Sequence, residues 1–357
     1  MKYRNLGRSG LQVSEIALGS WTTYGGSVSP DDTTRIVHRA FELGINLFDT
    51  ADVYLRGAAE SVLGTAIREL PREQLVIATK CMGRVWEGPL GRGLSRKHIF
   101  DALEQSLRRL QIDYVDLYQF HAPVEDTPID ESLRAFEDLV RSGKVRYVGF
   151  SNFDHHPKVV DQVATIQKRE GYLRMISSQP RYSLVDRHVE PKHVEYCKRN
   201  GIGMIVYSPL AQGVLTNKYA GGAIPHGSRA SGDFKHFLTQ EKALTPENVA
   251  AAERLGAWCA PRGLKPAAVA VAWTLRNAQV SSAIIGASSV AQLEENLLAL
   301  EVDLSASDWR EVESAIAGRK EGKASGAKPK RAGGSKSSPA RSKAASKAAS
   351  KAASKRR

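Results

Sequence analysis

What most restricts the fold of this 357-residue chain is a repeated unit: an apolar strand-like run, a chemically capable residue at its end, then a helical stretch. Residues 45–48 lead into Asp49, residues 75–79 into Lys80 and residues 115–120 into His121, and Tyr54 follows Asp49 in the same loop. Parallel strands closed into a (β/α)8 barrel all point the same way, so their carboxyl ends share one rim, where such barrels keep their active sites. The pattern predicts an α/β chain with a single (β/α)8 TIM barrel over residues 1–318 and four dispersed side chains gathered in one cluster.

Eight strands can be counted: 16–18, the three above, 146–150, 175–178, 203–206 and 282–285. Before them, Lys2-Tyr3-Arg4, a glycine-rich turn and Leu11-Gln12-Val13 predict an N-terminal β-hairpin that plugs the amino-terminal mouth. Pro30-Asp31-Asp32 starts a helix that stops at Gly44, Ser95 caps a helix over 96–110, and Asp154 reads as the cap of another. The stretch from the seventh strand to Pro246 is too long for an ordinary barrel loop, and its length predicts a cofactor-covering role.

The net charge of +13 is misleading about the body of the protein. Residues 319–357 hold fourteen Lys or Arg against one acid, Glu321, and so carry the whole excess. That segment has no aromatic or large aliphatic residue and reads as a disordered basic C-terminal tail. Its Lys-Ala-Ala-Ser repeat suits non-specific nucleic acid binding by counterion release, with a solvated extension or an anionic membrane surface as alternatives. No run is long and apolar enough to insert in a membrane, and no apolar signal core opens the chain, so a cytoplasmic protein is expected, nucleoid-associated if the tail binds DNA. Cys81, Cys197 and Cys259 show no metal-ligand spacing and read as reduced and structural, with Cys81 beside Lys80 as the one thiol able to report on the site. The neighbours of His155-His156 supply no metal spacing either.

A phenol titrates near pH 10 and is a poor acid at neutrality unless its anion is stabilised. The Lys80 ammonium beside Tyr54 is expected to lower that value, Asp49 to hold the ammonium, and His121 to hydrogen-bond an oxygen. This set suits protonating a carbonyl but contains no source of hydride, so reduction requires a redox cofactor.

The stretch Gly44-Ile45-Asn46-Leu47-Phe48-Asp49-Thr50-Ala51-Asp52-Val53-Tyr54, with Lys80 and His121, resembles the aldo-keto reductase superfamily and its Asp, Tyr, Lys, His tetrad. Gly19-Ser20-Trp21, Tyr207-Ser208-Pro209-Leu210-Ala211 and Gly286-Ala287-Ser288-Ser289 followed by Gln292-Leu293-Glu294-Glu295-Asn296 bring it close to the branch of bacterial reductases and voltage-gated potassium channel β subunits. The resemblance implies Tyr54 as general acid, Asp49 and Lys80 as its tuners and His121 as the carbonyl-orienting group. It implies that Ser151, Asn152 and Gln179 hold the nicotinamide carboxamide and that Tyr207 stacks on the ring, with Trp21, Ser208, Leu210 and Gly286 as further contacts. Ser288, Gln292, Glu295 and Asn296 match contacts to the adenosine end. Lys218 and Arg229 match basic residues near the pyrophosphate and 2′-phosphate, which favours NADPH/NADP over NADH. No G-x-G-x-x-G fingerprint is present, against a Rossmann dehydrogenase. Ala287 stands where many relatives have serine, and the loop 83–93 with Trp86 is expected to shape the substrate site.

The function implied is NADPH-dependent reduction of an aldehyde or ketone. A cofactor-binding, redox-sensing regulatory subunit and a protein tethered to nucleic acid by its tail are the alternatives. His121 favours the enzyme, because the channel subunits carry asparagine there. The same resemblance admits a homo-oligomer.

Overall fold

The computed structural model describes residues 1–318; the expected basic tail, 319–357, lies outside the described residues. A two-stranded antiparallel hairpin opens the chain, β1 (Tyr3–Asn5) pairing with β2 (Gln12–Ser14). Eight parallel strands then form a closed barrel: β3 (Ile16–Gly19), β4 (Leu47–Asp49), β5 (Val76–Cys81), β6 (Val115–Phe120), β7 (Val145–Ser151), β8 (Ser177–Gln179), β9 (Gly203–Val206) and β10 (Val280–Ile285), which returns to pair with β3. Between and after them run α1 (Pro30–Glu42), α2 (Ala58–Ile67), α3 (Arg96–Leu110), α4 (Ile129–Arg141), α5 (Pro157–Glu170), α6 (His193–Asn200), α7 (Lys235–Gln240), α8 (Pro246–Cys259), α9 (Pro266–Leu275), α10 (Val290–Leu297) and α11 (Ala306–Ile316). No helix among the described residues is long and apolar enough to cross a membrane.

Side chains alternate across a strand, and that alternation builds the interior in layers. The inward positions are apolar near the amino-terminal ends, where Ala17, Leu47, Val76, Leu117, Ile205 and Ile284 pack together. Further along the same faces they become polar: Asp49 above Leu47, Lys80 above Val76 and Ala78, and Gln119 above Leu117, while β8 presents Ser177 and then Gln179. The barrel is a dry plug at one end and a reactive rim at the other.

Leu6 and Val13 of the hairpin complete the lower apolar layer, so the hairpin closes the amino-terminal mouth as its position in the chain predicts. Gly7 makes this fit. It has φ +61°, and a Cβ there would lie 2.3 Å from the Gly201 carbonyl oxygen and 2.6 Å from the Gly203 nitrogen, so no larger residue can seat the turn against β9.

Helix starts follow the local signals. Ser29 caps α1 ahead of Pro30, and Ser95 accepts a hydrogen bond from the His98 amide at the start of α3. Ser305 and Asp308 form a reciprocal capping box on α11. Asp154 is the exception. The residue flanking α5 is His156, which makes no side-chain capping bond. Asp154 instead accepts from His188 Nε2 at 2.7 Å and lies 3.2 Å from His155 Nε2, while His188 Nδ1 meets Asp186 at 2.5 Å. A histidine 34 residues away outcompetes the local cap because its ring is gripped by two carboxylates, whose hydrogen bonds raise it to about 9.

The long segment after β9 folds into short 3-10 turns, Ala211–Thr216, Ala220–Gly222 and Arg229–Ser231, followed by α7. It lies as a strap along the carboxyl-terminal rim, where several of its residues line the main cavity.

Candidate active site

A cavity of about 730 Å³ opens on the carboxyl-terminal rim, bounded by the loops after β3, β4, β6 to β10 and by the strap. Behind Asp49 and Tyr54 of its wall stands Lys80, wholly buried. Its ammonium donates to Asp49 Oδ1 at 2.6 Å, to the Thr50 carbonyl at 2.7 Å and to the Tyr54 hydroxyl at 3.2 Å. Parallel register sets this up, because Asp49 pairs with Ala78 and Lys80 follows two residues on with its side chain on the same inner face.

Tyr54 enters from the loop after β4, and its ring meets the His121 ring edge-on with centroids 5.5 Å apart. The four residues named from the sequence therefore surround one point at the cavity floor. A chain of hydrogen bonds carries the arrangement around the rim. Tyr207 donates to Asn152 Oδ1 at 3.0 Å, and Asn152 Nδ2 donates to the His121 carbonyl at 2.9 Å. Ser151 donates to the Gln179 carbonyl at 2.8 Å, and Gln179 Nε2 donates to Asp49 Oδ2 at 2.8 Å.

Burial governs the proton affinities. The Tyr54 phenol is pushed well above its ordinary value of 10, first by burial and then by the carboxylates of Asp49, Asp52 and Glu241. The expected depression by Lys80 does not prevail, because the cost of a buried phenolate exceeds the help of one ammonium already shared with Asp49. Tyr54 thus holds its proton across the working pH range. Burial also lowers the Lys80 ammonium from 10.5, with Asp49 opposing, and drops His121 to about 3, so its ring is neutral. His121 Nδ1 is buried and has no protein partner. Cys81 is buried and its thiol pushed far up by that burial, so it is not the accessible reporter that its place beside Lys80 implied.

The far end of the cavity is cationic. Lys218 and Arg229 both line it, and burial lowers both, Lys218 further through repulsion from Arg229. Arg229 donates to Thr22 at 2.6 Å and to Gln212 at 3.1 Å, with its guanidinium 4.7 Å over the Trp21 ring. Two half-buried cations side by side fit an anionic group, and the hydrogen-bonding rim between them and Tyr54 fits a long polar molecule such as a dinucleotide diphosphate.

Trp21, Ser151, Asn152, Gln179, Tyr207, Ser208, Leu210, Gly286, Ala287, Ser288 and Gln292 also line the cavity. Three named residues do not, Lys80 among them, since it is wholly buried behind Asp49 and Tyr54. Glu295 is exposed and 3.8 Å from Lys265, and Asn296 is buried, donating to the Gly286 carbonyl at 3.3 Å. Trp86 packs on His98 with centroids 4.9 Å apart and is not part of the cavity wall. Sequence reading passed over Thr22, Leu55, Gln212, Phe234 and Glu241, all of which line it. Only the length of the segment after β9 pointed toward three of them, since none carries a local motif.

Residues 15–317 match the model of the aldo/keto reductase family. The chain is 37% identical over 308 residues to a probable voltage-gated potassium channel subunit beta of Oryza sativa subsp. japonica, covering 85% of this chain and 92% of the relative. It is 38% identical over 308 residues to L-glyceraldehyde 3-phosphate reductase of Escherichia coli (strain K12), covering 84% and 88% respectively. With the barrel, the rim cluster and these similarities together, the chain belongs to the aldo/keto reductase family of oxidoreductases.

Proposed function

We propose that this protein reduces small aldehydes or ketones to alcohols with NADPH. The observation that carries this reading is the Lys80 ammonium, buried and within hydrogen-bond reach of both Asp49 and the Tyr54 hydroxyl, which line a cavity whose other end holds Lys218 and Arg229.

NADPH, when bound, supplies the hydride. Lys218 and Arg229 would hold its phosphates, Ser288 and Gln292 its adenosine end, and Ser151, Asn152 and Gln179 its carboxamide. Tyr54 carries the transferable proton on its phenolic oxygen and releases it to the carbonyl oxygen. Because burial disfavours the resulting phenolate, the Lys80 hydrogen bond matters most in the transition state, where that charge develops. Neutral His121 offers an N–H to the same oxygen and orients it without adding charge.

NADPH oxidation followed against a panel of aldehydes, ketones and quinones tests the reading, with Tyr54→Phe as the diagnostic variant. Cofactor affinity should hold while kcat falls by roughly 10²- to 10⁴-fold. Unchanged turnover in Tyr54→Phe removes the phenol from the mechanism. Tight NADPH binding with no turnover of any carbonyl favours a redox-sensing regulatory subunit, in keeping with the relatives named as channel subunits.

A further inference from the structure

Immediately after Tyr54, two consecutive residues hold left-handed helical backbone: Leu55 at φ 51°, ψ 39° and Arg56 at φ 54°, ψ 40°. That conformation is disfavoured for any residue with a Cβ, and persists only where the surrounding structure over-determines the backbone. The two side chains go to different surroundings. Arg56 is exposed, whereas Leu55 lines the cavity beside Tyr54.

Leu55 also draws three loops together. A Cβ on Gly26, in the loop after β3, would lie 2.9 Å from Leu55 Cδ1 and 3.4 Å from Phe234 Cε2 of the strap. Trp21 extends this apolar surface by packing on Phe237 with centroids 4.9 Å apart. The lining lysine and arginine, Lys218 and Arg229, are adjacent to one another and suited to cofactor phosphates. The charged strap residue near enough to act on Tyr54 is a carboxylate, Glu241. A phosphorylated substrate would bring a second anion to that carboxylate and an ionic group to an apolar wall.

We propose that Leu55 is a specificity-determining residue, its strained backbone presenting an apolar wall that selects neutral carbonyls with an alkyl or aryl group over small or phosphorylated ones. This rests on the reductase reading above.

The test compares wild type, Leu55→Gly, Leu55→Asn and Arg56→Gly on cyclohexanecarbaldehyde, acetaldehyde and glyceraldehyde 3-phosphate, with melting temperature and NADPH Kd measured for each. Wild type should prefer cyclohexanecarbaldehyde. Leu55→Gly should lose about tenfold or more in kcat/KM on it, mainly through KM, with acetaldehyde within about twofold. Its NADPH Kd should be unchanged. Leu55→Asn tolerates the same backbone and should show the same loss, which keeps the question open to an answer if the glycine variant folds poorly. Arg56→Gly relieves the same kind of strain at an exposed position and should raise the melting temperature while leaving the preference intact. Equal losses on both unphosphorylated aldehydes in the Leu55 variants, the same shift in Arg56→Gly, or a wild-type preference for glyceraldehyde 3-phosphate would overturn the inference. Wild type that turns over no carbonyl at all overturns the reductase reading itself, a result distinct from any change in preference.

Discussion

Lys80→Met offers the most direct view of the cluster's energetics. In the wild type the ammonium is wholly buried and Asp49 nearly so, at 5% side-chain exposure, and the two lie 2.6 Å apart. Removing the ammonium leaves the carboxylate with two amide donors, Gln179 Nε2 at 2.8 Å and Gln119 Nε2 at 3.5 Å. Breaking a buried pair on one side costs roughly 3–5 kcal/mol, since the remaining charge is left without compensation. That is a large share of the roughly 5–15 kcal/mol by which a typical protein is stable. The carboxylate can escape the penalty by taking a proton. Its folded-state affinity for protons in the variant then exceeds that of the unfolded chain, so the loss should be greatest near pH 8 and shrink toward pH 5. The double variant Lys80→Met, Asp49→Asn carries no buried charge at this position and should recover most of the stability, but no activity. Urea unfolding followed by circular dichroism at both pH values measures all three. A loss under about 1 kcal/mol at both, or a double variant as unstable as the single one, would refute a dry, buried pair.

Two further outcomes follow from charges elsewhere. His188, gripped by Asp154 and Asp186, is raised from 6.5 to about 9, so the stability it adds is complete below pH 6.5 and lost as pH climbs to about 9. Being partly exposed, it should contribute roughly 1–3 kcal/mol, seen as a fall in unfolding free energy between pH 6 and 9.5 that His188→Gln flattens. Arg229→Ala should weaken NADPH binding by about 10- to 100-fold and NADH binding far less, because a charged hydrogen bond to a 2′-phosphate is lost. Equal weakening for both nucleotides, read by fluorescence titration, would instead assign Arg229 to latching the strap through Thr22 and Gln212.

The barrel and its reactive rim could be read from local pattern because both arise from short-range rules. Alternation along β4, β5 and β6 puts Leu47 with Asp49, Ala78 with Lys80 and Leu117 with Gln119, and the parallel direction of the strands follows from the intervening helices. Helix boundaries such as Ser95 and Gly44 were equally visible, since caps act within one turn. Asp154 was misread because the same residue type serves a cap or a distant cation, and proximity to His188 is invisible along the chain. The phenol of Tyr54 was misjudged in direction for a related reason: the neighbouring cation can be named from sequence, whereas the depth of burial that outweighs it cannot.

The chain by itself determined the periodicity, the order of strand and helix, and the identities of the residues at the strand ends, all set by interactions a few residues long. Tertiary structure alone decided which of them face one another across the cavity, how deeply each is buried, and that the strap brings Arg229, Gln212, Phe234 and Glu241 to its wall. The physical reason is that desolvation and through-space charge depend on what packs around a group, and packing joins segments as far apart as Thr22 and Arg229 that share no local pattern.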